Sequence, residues 1–283
     1  MRIDPSKCVA CGNCTYVCPM GAIYIDPVIK RATVDRDECV ECYACYNGLS
    51  GEHLNPTMVR TMRKVFQTLR LRFDPEPDVC PTSAFAPEDL TWPRIVRRAF
   101  SDPRVPHEST GVEGRGTEEV KTNDVSGRVV VGEVGFTIEF GRPGVGVRFR
   151  DIEKMTRRLS QAKVSFEKKN PITTLLKNQE TGDIREDILD EKIMSAIVEI
   201  KVPIERCEEI IRMVHEVEKE VDTVVVLGVG VRCDENGDDN IVLPILEKLG
   251  YQPQRAKTNT GLGRITNKDA QGARQSEPVG AAR

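Results

Sequence analysis

The sequence predicts an α+β protein in two parts: an N-terminal cysteine-rich module interrupted by a helical insertion, and a C-terminal βαββαβ plait. Three observations carry this. Eight of the ten cysteines stand at positions 8, 11, 14, 18, 39, 42, 45 and 80, and only Cys207 and Cys233 fall in the rest of the chain. Residues 129–264 run strand, helix, strand twice over. Between these parts, residues 101–128 are rich in Gly, Ser, Thr and charge and show no period. The expected division is a module over 1–100, a linker or arm over 101–128, the plait over 129–264 and a disordered tail over 265–283.

Charged residues make up 30% of the chain and hydrophobic ones 39%, an ordinary globular composition. The net charge of −3 gives no basis for nucleic-acid binding. The longest apolar run, VVVLGVGV, is far short of the ~20 residues that span a bilayer. The opening MRIDPSKCVACGNC holds no apolar core for a signal peptide. No membrane span and a cytoplasmic location are therefore expected. In that reducing compartment, such concentrated cysteines read as metal ligands rather than disulfides.

The first motif is complete: Cys8-x2-Cys11-x2-Cys14-x3-Cys18-Pro19. Thiolates are soft, strongly donating ligands, and a cubane iron–sulfur cluster takes four of them. The second motif, CVECYACYNGLSGEHLNP from residue 39, supplies Cys39, Cys42 and Cys45 but no closing Cys-Pro. That step arrives later, at Cys80-Pro81, where CPTSAFAP parallels CPMGAIYI from Cys18. An insertion over 46–79 thus interrupts the motif. A zinc ribbon is the other common use of paired cysteines, and two C-x2-C-x2-C triplets with paired Cys-Pro steps fit it poorly.

Residues 1–45 together with 80–86 resemble a bacterial-type ferredoxin carrying two [4Fe–4S] clusters. The resemblance covers under a third of the chain. It implies that Cys8, Cys11, Cys14 and Cys80 hold one cluster, while Cys39, Cys42, Cys45 and Cys18 hold the other. It also implies electron transport at low potential, in anaerobic metabolism.

Within the insertion, Asn55 is placed to cap a helix that has Pro56 at its first position. Met58, Met62, Val65, Phe66 and Leu69 then recur at spacings of three and four, forming one apolar face. Arg60, Arg63, Lys64, Arg70 and Arg72 occupy the other side, and no acidic residue lies between 53 and 73. Arg94, Arg97, Arg98 and Arg104 follow. This charge reads as a solvated face covering the module, as a docking surface for an acidic partner, or as compensation for cluster charge.

In the second half, EVGFTIEF alternates Val134, Phe136, Ile138 and Phe140 onto one side. A helix follows with Ile152, Met155, Leu159 and Ala162 at helical spacing, then the strand KVSFE. The order repeats with IVEIKV, with a helix from Pro203 burying Cys207, Ile210, Ile211, Val214 and Val217, and with TVVVLGVGV. PILEKLGYQP adds a further helix and a short strand. This half resembles ACT-type small-molecule-sensing domains, in architecture only. The last strand belongs at a sheet edge yet is apolar on both faces, so a second copy of the protein or a neighbouring element is expected to pair with it or cover it. His53, His107 and His215 are isolated, Cys207 falls on an apolar stripe, and CDENGDDN reads as a turn before a helix. The sequence holds no Ser-His-Asp set and no Walker motif.

The expected function is electron transfer through two [4Fe–4S] clusters, as the iron–sulfur subunit of a larger oxidoreductase. Its partner would be a catalytic oxidoreductase subunit or another redox protein, reached through the 101–128 arm and the C-terminal domain, through which a homodimer is also allowed. The alternatives are a redox- or ligand-responsive regulator with an ACT-like sensing domain, and an enzyme using a cluster for chemistry. The last needs an iron without a thiolate, and four cysteines per cluster argue against it.

Overall fold

The computed structural model describes residues 1–48, 54–71, 79–106, 127–142, 144–234, 236 and 238–251. Most of the expected 101–128 arm, the tail beyond 265 and the short strand expected after PILEKLGY lie outside the described residues.

In the N-terminal half, strands β1 (Arg2–Ile3), β2 (Ile23–Ile25), β3 (Ala32–Val34) and β4 (Phe85–Ala86) form two antiparallel ribbons, β1 with β4 and β2 with β3. Two short helices, α1 (Asn13–Val17) and α2 (Ala44–Asn47), each follow a cysteine loop. The Val79 N–H donates to the Gly48 carbonyl at 2.8 Å, so the chain leaves and re-enters the module at one point. A Cβ on Gly48 would come within 2.5 Å of the Val79 side chain, which explains the glycine there. The insertion is therefore a loop pinned at its ends, and Cys80 resumes where Cys45 left off.

The insertion contains α3 (Pro56–Thr68), capped as expected: the Asn55 side chain accepts from the N–H groups of Thr57 and Met58. Its orientation reverses the simplest reading of an amphipathic helix. Met58, Met62, Val65 and Leu69 are exposed, only Val59 is buried, and Arg60 and Arg63 turn toward the module. The reason is visible in what faces the helix, a loop of backbone carbonyls that needs donors rather than methyl groups.

Helix α4 (Ile95–Ser101) ties the two halves together. Val96 belongs to the C-terminal apolar core, and Phe100 stacks edge-on against Phe149 with ring centroids 5.5 Å apart. Arg94 and Arg97, on the other side, reach the second cysteine loop. The expected boundary at residue 100 falls inside this helix.

The C-terminal half is built on β5 (Glu133–Phe140), β6 (Val147–Arg148), α5 (Phe149–Gln161), β7 (Ser165–Phe166), α6 (Pro171–Thr174), β8 (Leu176–Asn178), β9 (Asp183–Ile184), β10 (Lys192–Ile193), β11 (Ala196–Pro203), α7 (Cys207–Val217), β12 (Val225–Val231) and α8 (Val242–Lys248). Four strands make one antiparallel sheet in the order β12-β5-β11-β7. Val134, Phe136, Ile138 and Phe140 of β5 are fully buried, with Ile152, Met155 and Leu159 of α5 and Cys207, Ile210, Ile211, Val214 and Val217 of α7 in the same core. Asp239 caps α8, its carboxylate accepting from the N–H groups of Ile241, Val242 and Leu243. No calcium-type loop is needed to explain that stretch.

Of the two expectations for β12, pairing with a neighbouring element of the chain is not seen among the described residues. The strand is at the edge, as expected, and Val226 is 48% exposed. Part of its apolar pattern has a local cause. Gly228 packs against Thr137 of β5, where a Cβ would stand 2.4 Å from the hydroxyl oxygen. Close approach between strands accounts for Gly228.

The halves meet through charge and close contact. Arg148 donates to Asp37 at 2.7 Å, Lys192 pairs with Glu38, and Arg97 pairs with Glu191. The Arg148 guanidinium beside Asp37 holds that carboxyl below its ordinary range. Gly146 (φ 74°) rests against the turn after Cys18; a Cβ there would lie 2.5 Å from Met20 Cε.

Candidate metal centre

Two cysteine loops of the same shape frame the N-terminal half. In the first, the Asp4 carboxylate accepts from the Ser6 N–H (2.8 Å), and the Cys8 N–H donates to the Asp4 carbonyl (3.0 Å). In the second, Asp35 accepts from the Asp37 N–H (2.9 Å), and the Cys39 N–H donates to the Asp35 carbonyl (3.0 Å). Left-handed backbone recurs at Ala10 and Glu41 and again at Gly12 and Tyr43, where each loop folds back on itself. The shared D-x3-C-x2-C-x2-C frame is an internal repeat, legible in the sequence, that motif reading centred on the cysteines passed over.

The closing cysteines match equally well. The Ala22 N–H donates to Cys18 Sγ at 3.3 Å, and the Ala84 N–H donates to Cys80 Sγ at 3.2 Å. These are the alanines shared by CPMGA and CPTSA. Amide donors also reach Cys8 Sγ from Ala10 and Ala32, both at 3.4 Å. Hydrogen bonds of this kind stabilise sulfur that carries negative charge.

The eight side chains separate into two groups around two open spaces. One is lined by Cys18, Cys39, Cys42 and Cys45 with Met1, Val34 and Tyr43. The other is lined by Cys8, Cys11, Cys14 and Cys80 with Ile3, Ala32 and Phe85. Each group thus draws three cysteines from one loop and a fourth from a distant Cys-Pro turn. Among the described residues, no group of three or more His, Cys, Asp or Glu is arranged to hold a single metal ion. Four thiols around one apolar space, with no single-ion arrangement among them, fit the corners of a cubane better than one tetrahedral zinc.

Burial and neighbouring sulfurs raise several of these thiols. Burial pushes the Cys14 thiol up to about 12, and Cys11, Cys8 and Cys80 push it further in the same direction. Burial likewise takes Cys45 to about 12, reinforced by Cys42, Cys39 and Cys18, and takes Cys42 to about 11. Four thiolates crowded in an apolar pocket repel one another and lose hydration. Without a bound cationic centre such thiols stay protonated, and binding one would favour their thiolate form.

Beside the second loop lies a buried charge cluster that sequence reading missed. The Glu41 carboxylate accepts from Arg94 Nε (2.9 Å), from Arg94 Nη2 (2.7 Å) and from the Met1 ammonium (2.6 Å). Cys207 is a fully buried core thiol, as expected. His215 forms a surface pair with Glu218.

Residues 1–48 match the family model described as a 4Fe-4S dicluster domain. Over 59 residues the chain is 39% identical to each of two Ferredoxin-1 sequences of Rhodobacter capsulatus. Each alignment covers 21% of this chain and 77% of the relative. The chain belongs to the bacterial-type ferredoxins. No solved structure matches it. The ferredoxin segment binds [4Fe–4S] iron–sulfur centres and serves electron transfer, and the fused C-terminal half lies outside that relationship.

Proposed function

We propose that this ferredoxin carries two [4Fe–4S] clusters, one on Cys8, Cys11, Cys14 and Cys80 and one on Cys39, Cys42, Cys45 and Cys18, and works as the electron-transfer subunit of a larger cytoplasmic oxidoreductase of anaerobic metabolism. The observation that carries this reading is the pair of cavities, each lined by four cysteines drawn crosswise from two stretches of chain. When bound, such clusters supply one-electron carriage. The chain's own residues hold the sulfurs, keep water out with Ile3, Val34, Tyr43 and Phe85, and aim amides at Cys8, Cys18 and Cys80.

Two features support a fixed partner over free diffusion. The module is locked to a C-terminal half by α4 and by the Arg148–Asp37, Lys192–Glu38 and Arg97–Glu191 pairs. In addition, α3 presents Met58, Met62, Val65 and Leu69 to solvent, beside Lys64 and Arg70 and without an acidic residue. A partner surface with apolar and acidic groups matches that face. In this reading the C-terminal half is a βαββαβ plait, and the free edge of β12 is where a second copy would add.

The test is anaerobic size-exclusion chromatography of the protein from its native source. Expected is co-elution with a cofactor-bearing oxidoreductase, abolished by Met62→Asp with Val65→Asp. Elution as a lone 31.6 kDa chain with full iron content would overturn the subunit reading and leave the cluster assignment standing.

A further inference from the structure

Four arginines outside every cysteine motif converge on the backbone of the two cysteine loops. From α3, Arg60 Nη2 donates to the carbonyls of Ser6 (2.6 Å) and Cys8 (3.0 Å). Arg63 Nη1 donates to the Val9 carbonyl at 2.7 Å and to that of Ala10. From α4, Arg97 Nη1 donates to the carbonyls of Asp37 (2.6 Å), Cys39 (3.0 Å) and Arg36 (3.2 Å). Arg94 takes the Arg36 carbonyl at 3.0 Å as well as the Glu41 carboxylate.

In the internal repeat, Ser6 and Cys8 correspond to Asp37 and Cys39. The same two carbonyls of each loop are therefore captured by a single guanidinium, delivered by helices that share neither sequence nor place in the chain. A loop that turns amides inward to sulfur leaves its carbonyls facing outward, and those must find donors. Water or a neutral side chain would satisfy them. Arginine instead brings a permanent positive charge, and here it is desolvated. Arg97 is 4% exposed, and the Arg60 Nε is buried with no hydrogen-bond partner among the described residues.

A fixed positive charge favours the state of a redox centre that holds one more electron. The two clamps also differ. Arg94 and Arg97 are paired with Glu41 and Glu191, whereas neither Arg60 nor Arg63 has a carboxylate partner among the described residues.

We propose that Arg60 and Arg63 raise the reduction potential of the Cys8/Cys11/Cys14/Cys80 centre, that Arg97 does so for the other centre, and that the first centre is consequently the more easily reduced. These are positioning and tuning residues; none is a cluster ligand. The inference rests on the two-cluster reading above.

The experiment is an EPR-monitored redox titration of the full-length, iron- and sulfide-reconstituted protein under anaerobic conditions. In Arg60→Gln/Arg63→Gln, the higher-potential wave moves down. Its reduced-to-oxidised ratio at a fixed potential falls about tenfold, which is about 59 mV for a one-electron couple. Arg97→Gln moves the lower-potential wave instead. Variants that keep full iron content while both waves stay in place, or that move the same wave, overturn the proposal.

If the double variant loses iron, Arg63→Gln alone leaves the Ser6 and Cys8 carbonyls held and must still lower the higher wave, while Arg63→Lys must restore it. A lysine variant that falls as far as the glutamine variant shows geometry rather than charge at work, and overturns it too. A parent protein that takes up only about four irons overturns the two-cluster reading and the paired tuning with it.

Discussion

The two halves of this protein are held together by different things. The C-terminal half has an apolar core of the usual kind, with Phe136, Ile138, Phe140, Phe149, Ile152 and Leu159 fully buried between one sheet and its helices. The N-terminal half has strands of two and three residues, and much of its interior is sulfur: Cys8, Cys14 and Cys80 are buried alongside Met1, Ile23, Tyr43 and Phe85. A module whose centre is two thiol-lined spaces has too little apolar contact to order its loops unaided, so its fold depends on what binds there. The C-terminal half needs no such help.

The largest break in that comparison is removal of the clusters. Chelation of the reduced protein is expected to abolish amide-exchange protection across residues 1–48 and 79–86, while β5, β11 and α7 stay protected; loss of protection in both halves together would show a single cooperative unit. The converse substitution is Phe136→Ala. It should destabilise the C-terminal half by about 3–5 kcal/mol in urea unfolding and leave iron content unchanged. An equal loss of iron would mean that the module leans on that core.

How far the contrast was legible in the sequence depends on the range of the chemistry. Ligand spacing is local, so the cysteine triplets and the delayed Cys80-Pro81 step could be read from residue types alone. Alternation on β5 and the stripe on α7 announced the C-terminal core for the same reason. The inward turn of α3 could not be read, because periodicity shows that two faces differ and not which one meets protein. The Arg60 and Arg97 contacts depend on carbonyls more than fifty residues away in sequence. Segment 167–195 gave no signal, since β8, β9 and β10 have two or three residues each and carry no period. On β12, Gly228, kept for close packing against Thr137, adds to the apolar pattern of the second face without needing a covering layer.

A smaller effect sharpens the boundary between the halves. Gly146→Val places a side chain against Met20 Cε and strains a residue at φ 74°. About 1–3 kcal/mol of destabilisation is expected, read as raised exchange at residues 18–22 and 144–149 with both cores intact. Unchanged exchange there would mean that the contact couples nothing.

A last effect is a pH dependence confined to the C-terminal half. Burial raises the Glu199 carboxyl to about 7, although Arg128 at 3.2 Å and a hydrogen bond from Asn170 pull it down and Glu167 pushes it up. Because the folded value lies above the unfolded one near 4.5, stability is full below about pH 4.5 and falls as pH rises through about 7. Glu199→Gln should flatten the thermal-unfolding profile across that window. A profile that keeps its slope would place the titration elsewhere.

The central claim, that the interrupted motif is completed by Cys80 and the module holds two clusters, is tested most directly by iron and acid-labile sulfide per chain on anaerobically purified protein, with EPR after dithionite reduction. The account predicts about eight of each and spin coupling between two reduced cubanes, with Cys80→Ser leaving about four. About four irons in the parent protein, or zinc in their place, would contradict it.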